Sequence, residues 1–137
     1  KPQCLLCPWQ KHCLSANTPD VETIPLRKKL AKQEKTGYVY LIRNRKNEIF
    51  IRKRTEKGLL SGLYEFPWSD TTPLFPNAPN THQEIHHTFT HFKLTLHIHT
   101  LQAEEMAISG HFVSTEMLKN YALSTLMKKV ANKISEL

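Results

Sequence analysis

Between residues 92 and 99 the chain alternates strictly. Phe92, Leu94, Leu96 and Ile98 fall on one side, and Lys93, Thr95, His97 and His99 on the other. A period of two marks a strand with one buried face. The surrounding stretch "HHTFTHFKLTLHIHTLQ" therefore reads as a pair of strands or one long bent strand. Upstream, "GYVYLIR" and "EIFIRKR" are β-branched and aromatic runs joined by "NRKN", the pattern of a β-hairpin. In the second run Ile49 and Ile51 alternate with Phe50 and Arg52. "GLLSGLYEFPW" is a glycine-punctuated loop running into a short strand, "SDTTPLFPNAPNT" with its three prolines is a loop, and "GHFVS" is a last strand.

The period changes at the end. Ser114 or Thr115 is placed to cap a helix from Glu116 to Tyr121. Ser124 is placed to cap a second, where Leu126, Val130, Ile134 and Leu137 recur at helical spacing. Strands followed by helices give the α+β class. Roughly a hundred residues from Gly37 onward suffice for one modest core. Residues 14–36 read as an extended linker, with a weak helical possibility over Leu26–Lys35, and residues 1–13 stand apart as a cysteine segment. The chain has no apolar run long enough to span a membrane and no signal-peptide pattern, so a soluble, intracellular protein is the expectation. Its first residue, Lys1, suggests a fragment or a processed product.

Charge sharpens this picture. Of the 19 Lys and Arg, twelve lie between Arg27 and Lys57 against three Glu, while the other residues carry seven basic and nine acidic groups. The net charge of +7 is thus the sum of +9 in one segment and −2 elsewhere. Such a patch attracts a phosphate backbone, although a solvated linker and an exposed hairpin would look the same.

All three cysteines lie in "CLLCPWQKHC", from Cys4 to Cys13. An odd, clustered set suits metal better than a disulfide framework. The C-x2-C pair lets two thiolates grip one metal from a tight turn. With His12 the set becomes a Cys3His zinc site, whereas an iron–sulfur cluster asks for four ligands.

In "GLLSGLYEFP", Gly58 and Gly62 permit turns, and Leu59, Leu60, Leu63 and Phe66 supply an apolar body. A basic strand, this loop and then "EFP" resemble the entry to a Nudix fold. Nudix hydrolases follow it with a helix of closely spaced glutamates, because Mg²⁺ on a diphosphate needs hard oxygen ligands. Here Glu65 is followed only by the isolated Asp70 and Glu84. Pyrophosphate hydrolysis is accordingly the weaker reading. His82, His86, His87, His91, His97 and His99 form a further group, of which His97 and His99 share a strand face and could bind a metal. "HTFTHFKL" offers a flat ring in Phe89, a hydroxyl in Thr90 and an imidazole in His91, which could enter a base stack and touch a base edge; a plain hairpin with a buried Phe is the ordinary alternative. No Ser–His–Asp order, phosphate-binding glycine loop or carboxylate pair suggests other catalysis.

Taken in order, three stretches resemble the C-terminal part of the MutY-type adenine DNA glycosylases. "CLLCPWQKHC" is similar to the end of that family's 4Fe–4S loop, "EKGLLSGLYEFP" to its Nudix-like signature, usually with Trp where Tyr64 stands, and "HTFTHFKL" to its 8-oxoguanine-reading loop, most often Phe-Ser-His. The resemblance implies a Nudix-like mixed β-sheet flanked by helices over residues 37–137, preceded by an interdomain linker (14–36) and the incomplete end of a cluster loop (1–13). It implies Cys4, Cys7 and Cys13 as three of four cluster ligands, the first lying before Lys1, so that this chain alone holds no cluster. It further implies Phe89, Thr90 and His91 as lesion readers, and a basic segment (Arg27, Lys28, Lys29, Arg52, Arg54 and Lys57) tracking DNA phosphates.

The implied partners are double-stranded DNA carrying an 8-oxoguanine:adenine mispair and an N-terminal catalytic domain of the same protein, which holds the glycosidic-bond chemistry; this chain alone would not excise a base. The implied setting is a monomer in the bacterial cytoplasm at the nucleoid, with no membrane contact. Two departures stand out: Thr90 keeps the hydroxyl of serine and adds a methyl, and Ser124 stands where the family commonly has Pro. The alternatives are a Nudix-type nucleotide pyrophosphohydrolase and a zinc-stabilised interaction module.

Overall fold

The computed structural model describes residues 1–26, 28 and 30–136. The chain divides into two compact units, Lys1–Ala31 and Lys32–Leu137. In the first, short 3-10 turns at Cys4–Leu6, Gln10–His12 and Val21–Thr23 follow one another. None of the three turns buries a residue, and Leu5, Leu6, Trp9 and Leu14 are exposed.

The second unit is built on a mixed seven-stranded sheet. Its strands are β1 (Gln33–Arg43), β2 (Ile49–Lys53), β3 (Tyr64–Glu65), β4 (Trp68–Ser69), β5 (Asn80–Thr88), β6 (Phe92–Gln102) and β7 (His111–Val113). The order is β3-β2-β1-β6-β5, with β4 pairing β1 and β7 pairing β2. β1 and β6 run parallel in register from Gln33↔Phe92 to Arg43↔Gln102. All other pairings between these strands are antiparallel. The "NRKN" hairpin forms as expected: Asn44 N–H donates to Glu48 O at 3.1 Å, and Asn47 takes the left-handed conformation (φ 62°) that asparagine tolerates better than most residues.

The apolar run in β1 is continuous because the strand is covered on both faces, as parallel pairing usually requires. Val39 and Leu41 join Ile49, Ile51, Phe66, Leu94, Leu96 and Ile98 in the larger core. Tyr40 and Ile42 point the other way, into a smaller cluster with Phe50 and Ala78. The larger face is sealed by α1 (Thr125–Lys133), whose Leu126, Met127 and Val130 are buried, followed by Ile134. The Met127 N–H donates to Ser124 Oγ at 3.2 Å, so Ser124 is the expected N-cap. The smaller face is packed by loop residues such as Phe75, Met106 and Ile108 rather than by a helix.

Two expected helices differ. Thr115–Asn120 is a 3-10 helix, with no side-chain cap from Ser114. A segment of six residues gains too few i→i+4 bonds to offset helix nucleation. Within Leu26–Lys35, residues Gln33–Lys35 are strand, because pairing with Phe92–Leu94 outweighs a weak helical preference; Arg27 and Lys29 lie outside the described residues.

Candidate functional site

β5 and β6 meet in a tight hairpin. Its last pair is Thr88↔Lys93, and Phe89 N–H donates to Phe92 O at 2.8 Å. Thr90 and His91 are thereby left exposed at the tip. Phe89 is half-buried and leans on the larger core. Its ring packs edge-on to His87 (centroids 4.7 Å, 71°) and against Phe92 (4.7 Å, 32°). The ring is therefore a support beneath the tip as well as a surface beside it. The hydroxyl and imidazole that the sequence singles out are the groups that face outward.

Parallel pairing brings the start of β1 to this turn, since Gln33 registers with Phe92. Lys32 Nζ donates to Phe89 O at 2.9 Å, and Lys35 Nζ lies 4.7 Å from the centroid of the Phe92 ring. From α1, Lys129 Nζ donates to His86 O at 3.0 Å. Partial burial, reinforced by the Lys129 charge, holds His87 below the usual histidine range. Its Nδ1 is buried without a hydrogen-bond partner. A neutral ring under the turn is consistent with both facts. Lys32 and Lys35 lie in the basic segment but carry no motif that singles them out, and Lys129 lies outside that segment altogether.

The other basic candidates are placed differently. Lys28 and Lys57 are exposed. Arg52 and Arg54 are committed to Glu65: Arg52 Nε donates to Oε1 at 3.1 Å and Arg54 Nη1 to Oε2 at 3.3 Å. Trp68 Nε1 also donates to Oε2, at 2.7 Å, and the Arg54 guanidinium lies 5.4 Å from the Trp68 ring centroid. The Glu65 side chain is 3% exposed and both arginine side chains only 21%, so these are not free surface cations. An open groove of about 470 Å³ passes from Lys35 and Phe92 along Trp68 to this cluster.

Neither metal reading finds a gathered ligand set. Cys4, Cys7 and Cys13 are free thiols, the last two exposed. Among the described residues no group of three or more His, Cys, Asp or Glu is disposed to hold a metal ion. Three thiols have the chemistry that a cluster asks for and are one donor short of its four. A divalent cation of the Nudix kind fares no better, since Glu65 is taken by its donors. Glu84 lies against His97 (Oε1 to Nδ1, 3.3 Å). His99 Nδ1 is bonded to Ala78 O at 2.9 Å, so His97 and His99 each have a non-metal partner.

Comparison with known proteins agrees with this architecture. A family model described as the NUDIX domain matches residues 38–133. The adenine DNA glycosylase of Rattus norvegicus is 32% identical over 110 residues, covering 60% of this chain and 21% of that protein. The adenine DNA glycosylase of Buchnera aphidicola subsp. Schizaphis graminum is also 32% identical over 110 residues, covering 71% of this chain and 30% of that protein. The chain thus spans less than a third of either relative. Among solved structures, the MutT protein of Methanosarcina mazei Go1 superposes with a TM-score of 0.65 at 16% identity, covering 79% of this chain and 97% of that one. The C-terminal domain of mouse MUTYH, solved in complex with human PCNA, gives 0.62 at 21% identity, covering 76% and 89%. At these identities the structures speak for the fold alone. A sheet that buries β1 on both faces, with the family model spanning most of it, places the chain in the NUDIX domain family.

Proposed function

We infer that this chain is the lesion-recognition domain of an adenine DNA glycosylase, reading 8-oxoguanine opposite the adenine to be removed. The observation that carries the reading is the β5–β6 turn, which presents Thr90 and His91 to solvent on a NUDIX domain related to adenine DNA glycosylases. Oxidation at C8 gives guanine a carbonyl oxygen there and turns N7 from an acceptor into an N–H donor. A hydroxyl both donates and accepts, and a neutral imidazole does the same through its two nitrogens. Thr90 and His91 would therefore meet both new groups, whereas the N7 of ordinary guanine only accepts. Bond cleavage at the flipped adenine belongs to another domain of the full-length protein, and this chain by itself excises nothing. Cys4, Cys7 and Cys13 would contribute three thiolates to a 4Fe–4S cluster once a fourth is supplied and the segment closes around it. Iron content and visible absorption of the full-length protein test that assignment.

The direct test of the reading uses the full-length glycosylase. Phe89→Ala and His91→Ala should each lower the ratio of adenine release opposite 8-oxoguanine to that opposite guanine. Unchanged ratios in both variants would remove Phe89 and His91 from the site.

A second reading, hydrolysis of free nucleotides, draws on the NUDIX match and the MutT-like fold. It needs carboxylates for a divalent cation, and among the described residues no group of three or more His, Cys, Asp or Glu is disposed to hold one. Rapid pyrophosphate release from oxidised dGTP with Mg²⁺ would favour it over the first.

A further inference from the structure

Three lysines from two parts of the chain lie against the β5–β6 hairpin. Lys32 precedes β1, Lys35 lies within it, and Lys129 lies on α1. All three are exposed, and among the described residues none is paired with a carboxylate. Lys32 and Lys129 each spend one N–H on a main-chain carbonyl of the hairpin, at Phe89 and His86. An ammonium has three donors, so two remain on each. Lys35 stands over the face of Phe92.

We propose that Lys32, Lys35 and Lys129 form a phosphate-binding frame that holds the backbone of duplex DNA around the base faced by Thr90 and His91. This rests on the lesion-recognition reading and adds the groups that supply its affinity. The frame replaces Arg52 and Arg54, whose guanidinium groups are held by Glu65. A lysine ammonium is a point charge that accepts phosphates in many geometries, so the frame positions the duplex without reading sequence. An acidic peptide would also meet three cations. The duplex is favoured because the hairpin that the lysines touch also exposes a hydroxyl and an imidazole suited to base edges.

The test measures binding of the 137-residue chain to duplexes with 8-oxoguanine or guanine opposite adenine, over a range of salt. Each phosphate contact contributes about 0.9 to the slope of log K against log salt. Replacing all three lysines by Gln should lower that slope by roughly 2 to 3 and weaken binding to both duplexes in parallel. Replacing all three by Arg should keep the slope, which separates loss of charge from loss of fold. Replacing Lys119 and Lys128 by Gln, residues that line a different groove with Arg43, should leave it nearly unchanged.

An unchanged slope in the triple Gln variant overturns the proposal, as does an equal fall in the Lys119/Lys128 variant. Failure of the unsubstituted chain to bind duplex at low salt, or displacement of the duplex by polyglutamate at equal charge, also overturns it. If the slope falls as expected while the unsubstituted chain does not prefer 8-oxoguanine, the frame stands and the lesion reading fails.

Discussion

The ring of Phe89 lies against that of Phe92, with centroids 4.7 Å apart and planes tilted by 32°. These residues bracket the two-residue tip and are also joined through the main chain, Phe89 N–H to Phe92 O. Folding of the hairpin and presentation of Thr90 and His91 therefore depend on the same contact. Phe89→Ala should cost about 2 kcal/mol, less than a fully buried Phe because the ring is only half covered. Phe89→Leu, which keeps apolar volume, should cost less than half of that. Urea unfolding followed by fluorescence compares the two. Equal losses would show that the aromatic ring itself, rather than apolar volume, carries the contact.

Glu65 is the fulcrum of the glycine loop. Its carboxylate accepts from Arg52, Arg54 and Trp68, and is almost wholly buried. Glu65→Ala leaves Arg52 without its carboxylate and Arg54 with only the exposed Glu56, and should destabilise by about 3 kcal/mol. Arg52→Ala should cost less, because Arg54 and Trp68 still hold the carboxylate. The same geometry predicts that Arg52→Gln lowers stability while leaving the salt dependence of DNA binding nearly intact. A change in salt slope without a change in urea midpoint would exchange the roles of the arginines and the lysines.

Ser124 caps α1 through its bond from the Met127 N–H. Ser124→Ala should cost about 1 kcal/mol, and Ser124→Asp should largely retain stability, since an Asp side chain accepts the same bond. Thermal unfolding of the three proteins checks this ordering. Indistinguishable melting temperatures for serine and alanine would show that packing of Leu126 and Val130 alone sets the helix start.

His87 gives stability a pH dependence with a definite sign. Its folded-state pKa is lowered from 6.5, first by burial and then by Lys129. The unfolded chain therefore takes up a proton more readily than the folded one. The stability held by the neutral ring is complete above about pH 6.5, and is lost as pH falls through the lowered value. The urea midpoint should fall between pH 7 and pH 5, and the fall should shrink in His87→Gln. Lys129→Gln should move the imidazole titration upward when followed by NMR. An unmoved His87 titration would remove Lys129 as a cause.

Much of this fold is legible in the chain. Alternation in Phe92–His99, the "NRKN" turn and the spacing of Leu126, Val130 and Ile134 report local periodicity, and each corresponds to an observed element. The turn at Thr90 and His91 is only partly legible, since the same stretch reads as a pair of strands or as one long bent strand. What stays hidden depends on long-range pairing. Nothing local announces that Gln33–Thr36 lies beside Phe92–Thr95, so neither the early start of β1 nor the approach of Lys32 and Lys35 to the turn can be read from the chain. The count of basic residues likewise does not separate arginines tied to Glu65 from lysines left free. The smaller helical elements depart from expectation because short segments take whichever hydrogen-bond pattern their neighbours allow.

Lesion reading is decided by equilibrium binding of the chain to two duplexes that differ only in 8-oxoguanine or guanine opposite adenine. Binding is measured for the unsubstituted protein and for Thr90→Val combined with His91→Ala. Binding to the oxidised duplex should be tighter, a preference abolished in the double variant while affinity for the undamaged duplex barely changes. Equal affinity for both duplexes, or a preference that survives the double substitution, would contradict lesion reading by Thr90 and His91.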